Sequence, residues 1–170
     1  DVNLSLSSAA QTGAISLTGL DVGTLTTFSS AYDVAINGNG TVESATTFNN
    51  TGSLRIGTDS TETNAFAGGL TAIAPSAISL AGTISTTDSA ITLGSATGGT
   101  GSGPVPVTLT DDTVLSSGTA DLTLTGTIDG AFALDLNSTG ITTINAVLGG
   151  TSELASLTTN AGGSTVLGGS

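Results

Sequence analysis

The amino-acid sequence predicts an all-β chain, most specifically a right-handed parallel β-solenoid, with an antiparallel β-sandwich as the alternative architecture. Three observations carry this. Short cassettes of alternating apolar and polar residues recur along the chain and place residues two apart on one face of a strand. Gly, Asn or Asp follows nearly every cassette, supplying the positive φ and local side-chain bonds of sharp turns. The chain has only five aromatic residues, Phe28, Tyr32, Phe48, Phe66 and Phe132. A sandwich ordinarily fills the space between its sheets with such rings, whereas a solenoid is lined by stacked aliphatic side chains.

In chain order the cassettes are AISLTG from Ala14, SLRIGT from Ser53, AISLAG from Ala77, AITLGS from Ala90, PVTLTD from Pro106, DLTLTG from Asp121 and FALDLN from Phe132. Each reads as one half-buried strand. The residues expected to face inward are Ile15, Leu17, Ile78, Leu80, Ile91, Leu93, Leu122, Leu124, Leu134 and Leu136. With so few rings, the interior is expected to be narrow and filled by Ala, Val, Ile and Leu rather than by large anchors. Helix is not expected, because Thr, Ser, Val, Ile and Gly all disfavour helix interiors and no 3.6-residue stripe persists.

The cassettes return about every twelve to sixteen residues from Ala77 onward, while the first half is looser and carries an insertion between Asp59 and Gly69. Residues 1–70 are therefore expected to be a looser β-rich segment, either a subdomain or irregular early rungs. Residues 71–170 are expected to be the regular repeat, and one continuous domain would accommodate both. TGGTGSGP, from Thr97 to Pro104, reads as a loop or boundary, as does Gly68–Gly69. The loop lacks the Lys of a phosphate-binding loop and opens no helix.

Gly, Ser and Thr make up nearly half of the chain, and the formal net charge is -12, with Arg55 the only basic residue. Binding nucleic acid or an anionic membrane rests on Lys and Arg, so neither partner is expected. The negative charge favours solubility and self-repulsion. Cys, His, Met, Trp and Lys are absent, which removes disulfides and thiolate or imidazole metal sites. No apolar stretch is long enough to span a membrane as a helix. The start at Asp1 and the ending GGSTVLGGS read as a chain that is processed, or that continues into flanking repeats or another copy of itself.

Candidate chemistry is sparse. Nucleophilic catalysis by Ser or Thr needs a base, and His and Lys are both missing. The carboxylate pairs Asp33 with Glu43 and Asp129 with Asp135 could serve glycoside hydrolysis, but one Tyr and one Arg leave little to hold a sugar. No enzyme is therefore expected, with a polysaccharide-acting β-helix as the alternative. Calcium is the one possible ligand, through Asp111, Asp112, Asp129 and Asp135, since hard cations take oxygen donors. Thr-x-Thr pairs occur at Thr24 and Thr26, at Thr108 and Thr110, and at Thr123, Thr125 and Thr127. Aligned in one exposed rank they would suit an ice- or carbohydrate-binding face; otherwise Thr is simply a good exposed strand residue.

The stretch from Gly126 to Ser170 contains the turn GTIDG, the strand and turn ALDLNSTG, the run AVLGGTSELASLTTNAGG and a closing Gly pair. These motifs resemble the repeats of large bacterial surface and secreted proteins, the filamentous-haemagglutinin-like and autotransporter-like adhesins. The stretch from Ala77 to Thr125 shares their style, and residues 1–70 depart from it. The resemblance implies an extracellular location, export across the outer membrane, a parallel β-helical stalk and a role in adhesion or a surface layer. It carries no catalytic residue. The expectation is thus a structural protein of the bacterial exterior, either an adhesin stalk segment or a self-assembling filament or surface-layer subunit.

Overall fold

The computed structural model describes residues 2–6, 11–97, 103–160 and 162–168. Among them there is no helix. The strands are β1 (Asn3–Leu6), β2 (Ala14–Thr18), β3 (Asp21–Val22), β4 (Thr24–Thr27), β5 (Asp33–Asn37), β6 (Gly40–Val42), β7 (Thr46–Thr47), β8 (Ser53–Ile56) and β9 (Thr63–Phe66). They continue as β10 (Leu70–Ala72), β11 (Ala77–Ser85), β12 (Ile91–Leu93), β13 (Pro106–Gly118), β14 (Leu122–Asp129), β15 (Ala133–Ser138), β16 (Ile141–Leu148), β17 (Ser156–Thr159) and β18 (Ser164–Leu167).

Every strand pairing is parallel, and the chain winds as a β-solenoid of about seven turns. Each turn visits three faces in the same order. The first face stacks β1, β4, β7, β10, β12, the start of β14, the start of β16 and β18. The second stacks β2, β5, β8, the start of β11, the start of β13 and the ends of β14 and β16. The third stacks β3, β6, β9, the end of β11, the end of β13, β15 and β17. With neighbouring strands about 4.8 Å apart, seven turns stand roughly 35 Å tall.

Bonded side chains on adjacent turns are commonly 20 to 22 residues apart in sequence. This exceeds the spacing of the cassettes from Ala77 onward, because successive ones there lie on different faces, whereas those from Ser53 and Ala77 stack on one face a turn apart. The cassettes from Ala77 and Pro106 stack on the second face, and those from Ala90 and Asp121 on the first. Two turns are longer. One carries Thr58–Glu62 beyond the end of β8; the other leaves the turn at Ser95 and returns at Val105, whose N–H donates to Ser95 O at 2.8 Å. The loop expected at Thr97–Pro104 falls in this second excursion, and residues 98–102 lie outside the described residues.

Parallel register sets like on like, so each inward position becomes a column. On the second face Ile15, Val34, Leu54, Ile78, Val107, Ile128 and Leu148 follow one another up the stack. On the first face Ala72, Leu93, Leu124 and Ile144 do the same. Of the inward residues read from the sequence, Ile78, Leu80, Ile91, Leu93, Leu122, Leu124, Leu134 and Leu136 are buried. Ile15 and Leu17 are half-buried, since β2 begins the second-face stack and has a neighbour on one side only. At the opposite end, Leu157 of β17 and Leu167 of β18 occupy inward columns above Leu134 and Ile144 and are exposed.

The expectation of an interior without large anchors is corrected. Tyr32, Phe48 and Phe66 are completely buried in the lower turns, with the rings of Phe48 and Phe66 6.0 Å apart at 78°. Such an edge-to-face pair is a favoured arrangement of aromatic quadrupoles. The Tyr32 hydroxyl donates to Leu6 O at 3.1 Å and accepts from Phe28 N–H at 2.9 Å, so its one polar atom is satisfied inside the core. The first half is thus built of regular stacked turns, and the ladder runs through residue 70: β10 pairs with β7 below and β12 above.

Candidate functional site

The polar chemistry of the chain is concentrated in its aspartates, and their partners are backbone amides. Asp33 Oδ1 accepts from Ser53 N–H at 2.6 Å and from its hydroxyl at 2.8 Å. Asp88 Oδ1 accepts from Thr119 N–H at 2.9 Å, and Asp112 Oδ1 from Ala133 N–H at 2.9 Å. Asp121 Oδ1 accepts from Ile141 N–H at 2.9 Å, and Asp129 Oδ1 from Thr151 and Ser152 N–H at 2.7 and 3.1 Å. In each case the donor lies one turn further along the chain. A corner breaks the backbone ladder and leaves amides without strand partners, and these carboxylates accept from them.

Asp111 reaches further. Its Oδ2 accepts from Ser60 N–H at 3.1 Å, 51 residues away, while Oδ1 accepts from Asp112 N–H. Ser60 belongs to Thr58–Glu62, which lies over the intervening corner at Gly82. A Cβ on Gly82 would press on Glu62 O and stand 2.8 Å from Asp59 O. The strap is closed within itself: Glu62 accepts from both the N–H and the hydroxyl of Thr58, and Asp59 from both the N–H and the hydroxyl of Thr61. The Thr61 hydroxyl, then the Thr61 N–H, hold the Asp59 carboxyl below its usual value of 3.8, against a small opposing desolvation.

The four residues considered for calcium have separate duties. Asp111 binds the strap, Asp112 and Asp129 cap different corners, and Asp135 stands opposite Val114 and Thr158 in the third-face ladder. Among the described residues no group of three or more acidic side chains converges on one point. Asp33 caps Ser53, whereas Glu43, the other half of the proposed pair, lines a shallow depression with Val2, Asp21, Val22 and Gly23. Arg55 lies exposed on the second face and donates to Asn37 Oδ1 at 2.5 Å.

The threonines named from the sequence do not share one rank. Thr24, Thr26 and Thr123 lie on the first face, Thr127 and Thr108 on the second, with Thr110 and Thr125 towards corners. A different set does align. Thr47, Thr71, Thr92, Thr123 and Thr143 follow one another in register up the outside of the first face. Sequence reading named Thr123 only within a Thr-x-Thr run and missed this rank because its members lie about one turn apart. Only the stacking register brings them together.

No family model, curated protein or solved structure matches the chain. Among the described residues no helix is long and apolar enough to cross a membrane.

Proposed function

We propose that this chain is a structural segment of the bacterial exterior, a length of stalk from a large surface adhesin or a self-assembling filament or surface-layer unit. The observation that supports it most directly is where the chain spends its polar groups. Five aspartates cap the next turn, and the inward columns continue from turn to turn, so side-chain chemistry serves stacking rather than a shared pocket. Repeat architectures of this kind extend in one dimension, each turn contacting only its neighbours. The partners are flanking repeats of a longer chain or further copies of itself, held by backbone bonds along parallel strand edges. Calcium, in this reading, screens charge along an assembly instead of filling a built site.

Electron microscopy and sedimentation of purified protein, with and without a chelator, test the reading. Rods or end-to-end assemblies are expected for the self-assembling unit. Monomers under both conditions would leave only the stalk. Turnover of a polysaccharide would overturn both.

The threonine rank favours a second reading, a binding face for a regular surface such as ice or a glycan lattice. Replacing Thr92 and Thr123 by Lys would abolish such binding in an ice-recrystallisation or glycan pull-down assay without unfolding the chain. Unchanged binding in that variant, or none in the unaltered protein, would remove the idea.

A further inference from the structure

Two asparagines of the chain are followed directly by glycine, Asn37 by Gly38 and Asn39 by Gly40. The nitrogen of a glycine is shielded by no side chain of its own, so it is the backbone nitrogen best able to attack the carboxamide carbon of the residue before it. Both pairs lie in one corner, between the end of β5 and the start of β6. Packing imposes the second glycine there. A Cβ at Gly40 would stand 3.0 Å from Asn64 Oδ1 and 3.2 Å from Leu20 O, tighter than a side chain tolerates.

The fold treats the two carboxamides differently. Asn37 is half-buried and held at both ends: its Nδ2 donates to Ser16 Oγ at 2.7 Å and its Oδ1 accepts from Arg55 Nη2 at 2.5 Å. Asn39 is exposed, and its one hydrogen bond among the described residues is at Oδ1, which accepts from Thr63 N–H at 2.7 Å. A backbone N–H donates only to the oxygen, so the nitrogen of Asn39 is the end left to solvent. The bond from Thr63 also falls on the atom that gathers negative charge when a nucleophile adds to the carboxamide carbon, and a fixed donor there stabilises that charge. Arg55 would polarise Asn37 in the same way. The Asn37 nitrogen, however, is bound to Ser16, and its carboxamide cannot swing onto the following nitrogen without breaking two bonds.

We propose that Asn39 is a site of spontaneous self-modification, converted through a cyclic imide with Gly40 to aspartate or isoaspartate in the folded chain, while Asn37 persists. Gly40 N gives up its proton to solvent and bonds to Asn39 Cγ. The Cγ–Nδ2 bond breaks, and the nitrogen takes up a proton and leaves as ammonia. Water then opens the ring. Breaking the bond between Gly40 N and Cγ yields aspartate; breaking the bond between Gly40 N and the Asn39 carbonyl carbon yields isoaspartate, whose main chain runs through the former side chain. The aspartate form keeps an acceptor for Thr63 N–H, now with a full charge. A corner that begins neutral thus comes to match those of Asp33, Asp88, Asp112, Asp121 and Asp129, which accept from an amide one turn on.

The test is peptide mapping by mass spectrometry of the full chain held in mildly alkaline buffer, folded or unfolded in urea, with fragment spectra that separate the two residues. In the folded chain Asn39 is expected to show the mass change of ammonia lost and water gained at least about tenfold faster than Asn37, the rate equivalent of about one hydrogen bond. In urea neither carboxamide is held, and the two rates are expected to be comparable. The variant Asn39→Asp supplies the reference for the aspartate product. A folded chain in which Asn39 stays intact while the unfolded chain reacts, or in which Asn37 reacts as fast as Asn39, overturns the proposal. The same bias persisting in urea would trace it to local sequence instead of the fold and would overturn it as well.

Discussion

Asp121 and Ile141 stand one turn apart, and the aspartate carboxylate accepts the isoleucine N–H at 2.9 Å where the strand ladder is about to begin. Strand β16 starts at Ile141 and continues upward on the first face. The carboxylate thus ties the entry of one turn to the exit of the corner below it. Replacing Asp121 by Ala should lower stability by about 1 kcal/mol, the net worth of one exposed charge-assisted hydrogen bond. Urea unfolding should show this as a lower midpoint at an unchanged slope, and an unchanged midpoint would mean that water replaces the carboxylate at no cost.

Leu124 gives the contrasting case. It is 1% exposed and sits between Leu93 and Ile144 in a first-face column. Truncation to Ala leaves a cavity that neighbouring turns cannot close, at a cost of about 3 kcal/mol. Leu124→Asp should be worse, because it buries an unpaired charge. Circular dichroism is expected to show the alanine variant folded with a lower melting temperature and the aspartate variant largely unfolded at room temperature.

Gly94 follows β12 with a φ of 76°, and a Cβ there would run into the carbonyl oxygen of Thr125 on the next turn. Gly94→Ala therefore combines a strained backbone with a direct clash, and a loss of more than about 1 kcal/mol is expected. Gly19 also has a positive φ, 66°, but nothing lies within 4 Å of its Cβ position. Gly19→Ala should accordingly cost less than Gly94→Ala, and equal losses in thermal melts would show that conformational strain alone sets the penalty.

The strap predicts a dependence on pH. Hydrogen bonds from Thr61 hold Asp59 below its usual 3.8 in the folded chain. A carboxyl depressed by folding contributes stability above its unfolded value, and the contribution is lost as pH falls through the lower folded value. The stability gap between the unaltered protein and Asp59→Asn should therefore be constant near neutrality and shrink only below pH 3.8. A gap that changes between pH 5 and 7 would place its origin in another group.

How much of this was legible in the sequence differs from level to level. The strand cassettes were readable because alternation is local: Ile78, Leu80, Leu122 and Leu124 each announce a buried side two residues long, and all four are buried. The length of a turn was not readable, since cassettes on different faces look alike: that from Ala77 lies on the second face of one turn and that from Ala90 on the first face of the next. Tyr32, Phe48 and Phe66 looked too few to make a core, yet all three rings are completely buried and two of them pack edge to face. The corner-capping bonds of the aspartates were not readable, because the sequence carries no sign of the amide one turn further on.

The short separation between partners bears on how the chain reaches its shape. Because most pairings join residues about one turn apart, each new coil closes a loop of similar, modest length, and no early contact waits for a distant segment. Such a topology lets order spread coil by coil from whichever stretch settles first. The completely buried rings of Tyr32, Phe48 and Phe66, the last two packed edge to face, all lie within the first coils. A chain emerging N-terminus first, from a ribosome or through a narrow passage, would have that seed in hand before its last hundred residues had followed. Every later coil could then wind onto a finished edge.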